Sequence, residues 1–177
     1  MVGLKKTMVI IVAVLLVLVL VGFALPSTYK VQRSIVISAP SSKIFPHLVN
    51  LKKWQDWGVW YKRDPNMSID YSGDEGEVGM TSRWMSNTQG SGEMSIIALE
   101  ADRRLIYSLS FGDMPKPSTG EFVLKQVAGG TEVLWMDYGD VGMNPINHYF
   151  AFLMDSMLGP DFETGLDNLK MIAEAPQ

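Results

Sequence analysis

Thr119-Gly-Glu-Phe-Val-Leu-Lys-Gln-Val127, then Ala128-Gly129-Gly130, then Thr131-Glu-Val-Leu-Trp-Met-Asp-Tyr-Gly-Asp-Val141 is the stretch that decides the fold. Both arms are rich in β-branched and aromatic residues that alternate with polar ones, and a glycine pair stands between them. That pattern predicts two antiparallel strands joined by a tight turn. Successive strand residues face opposite ways, so Thr131, Val133, Trp135, Asp137 and Gly139 share one face, and Phe122 and Leu124 match them on the first arm.

Upstream, the same strand-and-turn unit repeats. Strands are predicted over Ser68–Tyr71, Glu77–Ser86, Gly92–Leu99 and Arg103–Phe111. Their turns fall at Gly73-Asp74-Glu75-Gly76, Asn87–Gly90, Ala101-Asp102 and Gly112–Pro117. Alternation assigns the inner face to Met80, Ser82 and Trp84, to Met94 and Ile96, and to Leu105, Tyr107, Leu109 and Phe111. Such a series with no helical interruption reads as an antiparallel meander. Before it comes one more strand, Tyr29–Ser38. A short helix opened by Ala39-Pro40-Ser41-Ser42 follows, with a serine cap expected and Ile44, Phe45, Leu48 and Leu51 buried. Asp56 to Pro65 reads as a loop or broken helix.

Downstream the period changes from two to 3.6. Ile146, Tyr149, Phe150, Leu153 and Met157, then Phe162, Leu166, Leu169 and Ala173, recur at helical spacing. Gly159-Pro160 is expected to kink the helix, with Asp155 and Asp161 capping its halves. The architecture is thus α+β: a curved antiparallel sheet wrapped around one long C-terminal helix, with a ligand-sized gap between them. Phe150, Leu153, Met154 and Met157 are the helix residues expected to face the sheet.

At the other end, Met8 to Leu25 is eighteen residues without a charge, closed by Pro26. As a helix it reaches about 27 Å, close to a bilayer's hydrocarbon thickness. Residues 1–28 are read as a single transmembrane anchor and linker, and 29–177 as one domain. A cleaved signal peptide is the rival reading: Lys5 and Lys6 would be its basic end and Gly22-Phe23-Ala24 its cleavage site. The run is longer than a usual signal core. The very short basic N-terminus places the domain outside the cytoplasm, on the periplasmic side, although Lys30, Arg33 and Lys43 on the other flank weaken the charge asymmetry.

The chain carries 15 basic and 19 acidic side chains, and its net charge of −4 becomes −6 once Lys5 and Lys6 are set aside with the anchor. That balance argues against nucleic acid and against an electrostatic grip on anionic lipid. Without cysteine, disulfides and thiolate chemistry are excluded. With only His47 and His148, and no acidic cluster at metal-loop spacing, neither a metal nor a cofactor is expected. Neither histidine sits in a readable triad.

The order and spacing of these pieces resemble the polyketide cyclase/dehydrase-like branch of the START/Bet v 1-like (SRPBCC) superfamily, the helix-grip fold. Ile37-Ser38-Ala39-Pro40 with Ile44-Phe45 is similar to its first strand entering its first helix. Trp54-Gln-Asp-Trp57-Gly-Val-Trp60 with Asp64-Pro65 resembles its tryptophan-rich segment. Gly76-Glu-Val-Gly79, Trp84 and Gly90-Ser-Gly92-Glu-Met94 resemble its sheet. Gly130-Thr131-Glu-Val133-Leu-Trp135 and Gly165-Leu166-x-x-Leu169-Lys170 resemble its last strand and helix. The likeness runs from Tyr29 to Glu174 and implies a hydrophobic cavity with no shared catalytic set.

The wall expected around that cavity is Trp57, Trp60, Met80, Trp84, Met94, Tyr107, Leu109, Phe111, Phe122, Trp135, Asp137, Phe150, Met154 and Met157. For each, packed core is the plain alternative, and the tryptophans at 54, 57 and 60 either stack a ligand or cap the core. Asp137 on an inner face would be held neutral by burial, with Tyr107 as its partner across the cavity. A salt bridge to Arg83, Arg103 or Arg104 is the alternative. Three functions follow from different classes. The first is a membrane-tethered binding domain for a lipid, quinone or polyketide-like molecule. The second is an accessory subunit of a membrane protein complex. The third is a cyclase/dehydrase-type enzyme using Asp137 and Tyr107.

Overall fold

The computed structural model describes residues 2–112 and 116–176. Helix α1 (Val2–Ala24) is followed by strand β1 (Thr28–Ile37) and helix α2 (Ser41–Val49). A 3-10 turn, Leu51–Lys53, leads into the short helices α3 (Trp54–Trp57) and α4 (Val59–Arg63). Six strands follow: β2 (Ser68–Ser72), β3 (Thr81–Met85), β4 (Gly92–Glu100), β5 (Arg104–Phe111), β6 (Ser118–Val127) and β7 (Gly130–Asp140). Helix α5 (Pro145–Glu174) follows the sheet.

The strands form one seven-stranded antiparallel sheet in the order β1-β7-β6-β5-β4-β3-β2. The meander therefore stands as read, and β1 closes it by pairing with the last strand, from Thr28 against Asp140 to Ile37 against Thr131. The decisive hairpin turns at Ala128-Gly129, Val127 pairing with Gly130. Two boundaries differ from expectation. Glu77–Met80 is a turn because Gly76 and Gly79 both take positive φ, although Met80 still buries its side chain on the inner face. The middle of the expected Gly112–Pro117 turn, residues 113–115, lies outside the described residues.

In α2 no serine caps the helix; Pro40 occupies the cap position without a side-chain bond. The expected apolar face is buried nonetheless, with Ile44, Phe45 and Leu48 packed into the core and Leu51 following.

The long helix departs most from the sequence reading. It runs unbroken through Gly159-Pro160. Asp155 and Asp161 do not cap anything; each is drawn to an arginine. Arg33 of β1 donates from Nη1 to Asp155 Oδ1 at 2.8 Å and from Nε to Glu163 Oε1 at 2.6 Å. Arg63 of α4 grips both oxygens of Asp161. Because the Arg33 guanidinium lies directly on Gly159, a Cβ there would come within 1.9 Å of Nη2. The first half of α5 thus turns His148, Ala151, Met154, Leu158 and Gly159 inward, with Asp155 paired to Arg33, and the apolar stripe points the other way. Phe150 is 54% exposed and Met157 56%, with Ile146 and Leu153 beside them. The second half behaves as expected, burying Phe162, Leu166, Leu169 and Ala173.

Helix α1 is long and apolar enough to cross a membrane over Lys5–Ala24. Its last turns meet the domain: Gly22 is buried against Pro145, and its carbonyl accepts from His148.

Candidate functional site

The inner faces of the strands and α5 enclose an aromatic core. The Trp135 ring lies flat on Phe162, centroids 4.0 Å apart, and stacks on Phe122 at 4.8 Å. Trp54 meets Tyr107, Phe122 and Trp135 edge-on. Buried indole N–H groups find acceptors, as their desolvation requires. Trp54 Nε1 donates to the Leu48 carbonyl at 2.7 Å, and Trp57 Nε1 to the His47 carbonyl at 3.1 Å.

Between this core and the far end of the sheet a cavity of about 100 Å³ remains. Trp54, Trp60, Tyr61, Tyr107, Trp135 and Phe162 make its inner wall. Met67, Trp84, Gln89, Met94, Leu109, Phe111 and Leu158 complete it, and Phe111 is an exposed side chain at its rim. A cavity that holds a whole drug-sized ligand spans roughly 300–1,000 Å³. This one has room for a ring or a short chain.

Asp137 is the one carboxylate on the wall, 2% exposed. Its cross-strand neighbours explain how it is tolerated. Register places it opposite Val31 and Gly120, so the residues two along, Tyr29 and Ser118, reach it diagonally on the same face. Tyr29 Oη donates to Oδ1 and Ser118 Oγ to Oδ2, each at 3.0 Å. Burial raises the Asp137 pKa to about 6, and the two donated bonds hold it from rising further.

Glycines give the tyrosines room. Tyr107 pairs with Gly120, and its ring lies across that position so closely that a Cβ would come 1.8 Å from Cζ. Its hydroxyl accepts from Trp135 Nε1 at 2.9 Å. Among the described residues nothing accepts the Tyr107 proton itself. Burial pushes that hydroxyl well above its usual pKa, so it stays protonated, and Tyr107 is one of the residues lining the cavity.

Of the residues expected to line the cavity, Trp60, Trp84, Met94, Tyr107, Leu109, Phe111, Trp135 and Asp137 do so. Trp57, Met80 and Phe122 instead are fully enclosed core side chains. Met154 packs on the core without reaching the cavity, and Phe150 and Met157 face outward for the reason given above. Tyr107 is not the partner of Asp137; Tyr29 and Ser118 are. The arginines named as its alternatives are engaged or elsewhere: Arg83 with Glu93, Arg104 with Glu121. His148 is a buried bridge between the Gly22 and Gly142 carbonyls, outside the cavity. Trp54, named from sequence as stacking a ligand or capping the core, lines the cavity. Sequence reasoning missed Tyr61, Met67, Gln89, Leu158 and Phe162, of which Phe162 carried a signal on the apolar helix face.

The family profile described as polyketide cyclase / dehydrase and lipid transport matches residues 28–174. No curated protein matches the sequence. Solved structures share the fold at low identity. A Staphylococcus aureus protein of unknown function is 12% identical with a TM-score of 0.63, covering 83% of this chain and 94% of its own. The Aha1 dimer of Colwellia psychrerythraea is 19% identical at 0.56, covering 82% and 98%. The di-domain ARO/CYC BexL of the BE-7585A biosynthetic pathway is 14% identical at 0.60, covering 85% of this chain and 52% of its own.

Proposed function

The chain belongs to the polyketide cyclase/dehydrase and lipid-transport family, and on that footing we propose that it binds a hydrophobic small molecule carrying a hydrogen-bond acceptor such as a carbonyl. The observation that carries this reading is the Tyr107 hydroxyl, which has a donor but no acceptor among the described residues and opens on an aromatic cavity. In such surroundings an unpaired polar group costs free energy, and a ligand oxygen that takes its proton recovers it. The rest of the affinity comes from apolar area removed from water against Trp60, Trp84, Met94 and Leu109.

Helix α1 holds the domain, residues 29–177, at a membrane, where such molecules dissolve, with the domain on the periplasmic side. Binding is favoured over turnover because Asp137, the carboxylate on the described wall, already accepts from Tyr29 and Ser118 on its two oxygens.

Trp54, Trp60, Trp84 and Trp135 all line the cavity, so their fluorescence reports its occupation. Titrating the full chain in detergent with a short-chain quinone is expected to quench them saturably. Tyr107→Phe weakens the binding, and Leu109→Trp, which fills the space, abolishes it. Linear quenching, equal in all three proteins, would overturn the proposal.

A further inference from the structure

The apolar stripe Ile146, Phe150, Leu153 and Met157 lies on the side of α5 away from β1, and Met143, 91% exposed, precedes it. From Met143 to Leu158 the sequence has no Lys, Arg or Glu, and its one Asp, Asp155, is held by Arg33. An exposed apolar face of this extent marks a contact surface.

The anchor says what covers it. Gly22 packs on Pro145, its carbonyl meets His148 Nδ1 at 2.8 Å, and the Leu18 carbonyl accepts from Tyr149 Oη at 2.6 Å. The start of α5 is thereby fastened to residues 18–22 of a span that ends at Ala24. Where that span crosses a bilayer, these residues lie at the edge of the hydrocarbon, and the first turns of α5 lie at the same depth. Tyr149 then occupies the level where tyrosines gather in membrane proteins.

We infer that the outward face of the first half of α5 rests in the bilayer beside α1, its partner being lipid. This rests on reading α1 as a membrane anchor. An acidic domain gains little from lipid charge, so the contact is apolar, as in helices that lie in the interfacial plane. Leu158, next after Met157 on the same helix, is among the residues that line the cavity.

The chain has no cysteine, so nitroxides attach cleanly to Leu15→Cys, Phe150→Cys, Leu153→Cys and Asp167→Cys in full-length protein reconstituted into phosphatidylcholine vesicles. Collision with oxygen and with a water-soluble nickel chelate is then measured. Labels at 15, 150 and 153 are expected to meet oxygen readily and to be shielded from nickel several-fold better than the label at 167. Nickel access at 150 and 153 equal to that at 167, with 15 still in lipid, overturns the inference and leaves the anchor standing. Shielding of 150 and 153 from both reagents means a protein covers the face, and overturns it too. A label at 15 open to nickel removes the anchor, and the inference with it.

Discussion

Tyr29 and Asp137 are 108 residues apart in the chain, and their side chains share a hydrogen bond of 3.0 Å. The pairing of the first strand with the last creates this contact, and it turns an isolated buried carboxyl into a satisfied one. Ser118 completes the arrangement from the other neighbouring strand.

Asp137 is expected to titrate near pH 6, against 3.8 in the unfolded chain. Because the folded pKa is the higher, the folded state binds the extra proton between those values. The site's contribution to stability is therefore fully present below about pH 4 and is lost as pH rises through 6, a loss of about 3 kcal/mol by pH 7. Carboxyl carbon NMR titration of the full chain in micelles checks the value. Tyr29→Phe removes a donor to the ionised form and raises it further; an unchanged titration in that variant would show that the bond carries no weight.

Gly120→Ala drives a methyl into the Tyr107 ring. Overpacking of this kind costs about 1–3 kcal/mol, more where neither backbone nor ring can yield. Tyr107→Phe leaves Trp135 Nε1 unpartnered, at roughly 1–3 kcal/mol. Denaturant unfolding measures both. Gly120→Ala combined with Tyr107→Ala is expected to lose less than the two single changes added together, because the clash disappears with the ring.

The Arg63–Asp161 pair ties α4 to α5 asymmetrically: the aspartate is buried and half of the arginine side chain is exposed. Arg63→Ala strands a buried carboxylate, while Asp161→Asn leaves an arginine that water can reach. The first is expected to cost more, by about 1–2 kcal/mol. Equal losses in thermal unfolding would mean that the carboxylate is hydrated without its partner.

How far the sequence could be read depended on the range of the interactions involved. The face of β7 that carries Val133, Trp135 and Asp137 follows from period-two alternation, a local property, and was legible. The donors to Asp137 were not, because strand register decides them and no local pattern encodes which distant residue lies diagonally across. In α5 the spacing of Ile146, Phe150, Leu153 and Met157 correctly marked an apolar stripe. Which side of the helix is buried was set elsewhere, by Arg33 lying on Gly159 and gripping Asp155 and Glu163. The cavity itself is a remainder between side chains, and its volume is a product of packing that composition does not express.

The central claim is that the cavity holds a hydrophobic molecule. Native mass spectrometry of the full chain, extracted from its membrane in mild detergent, tests it most directly. The account predicts a one-to-one adduct of a hydrophobic, oxygen-bearing molecule that survives purification and is absent from Leu109→Trp. A chain that is empty in both proteins, or an adduct retained equally by the filled variant, would contradict it.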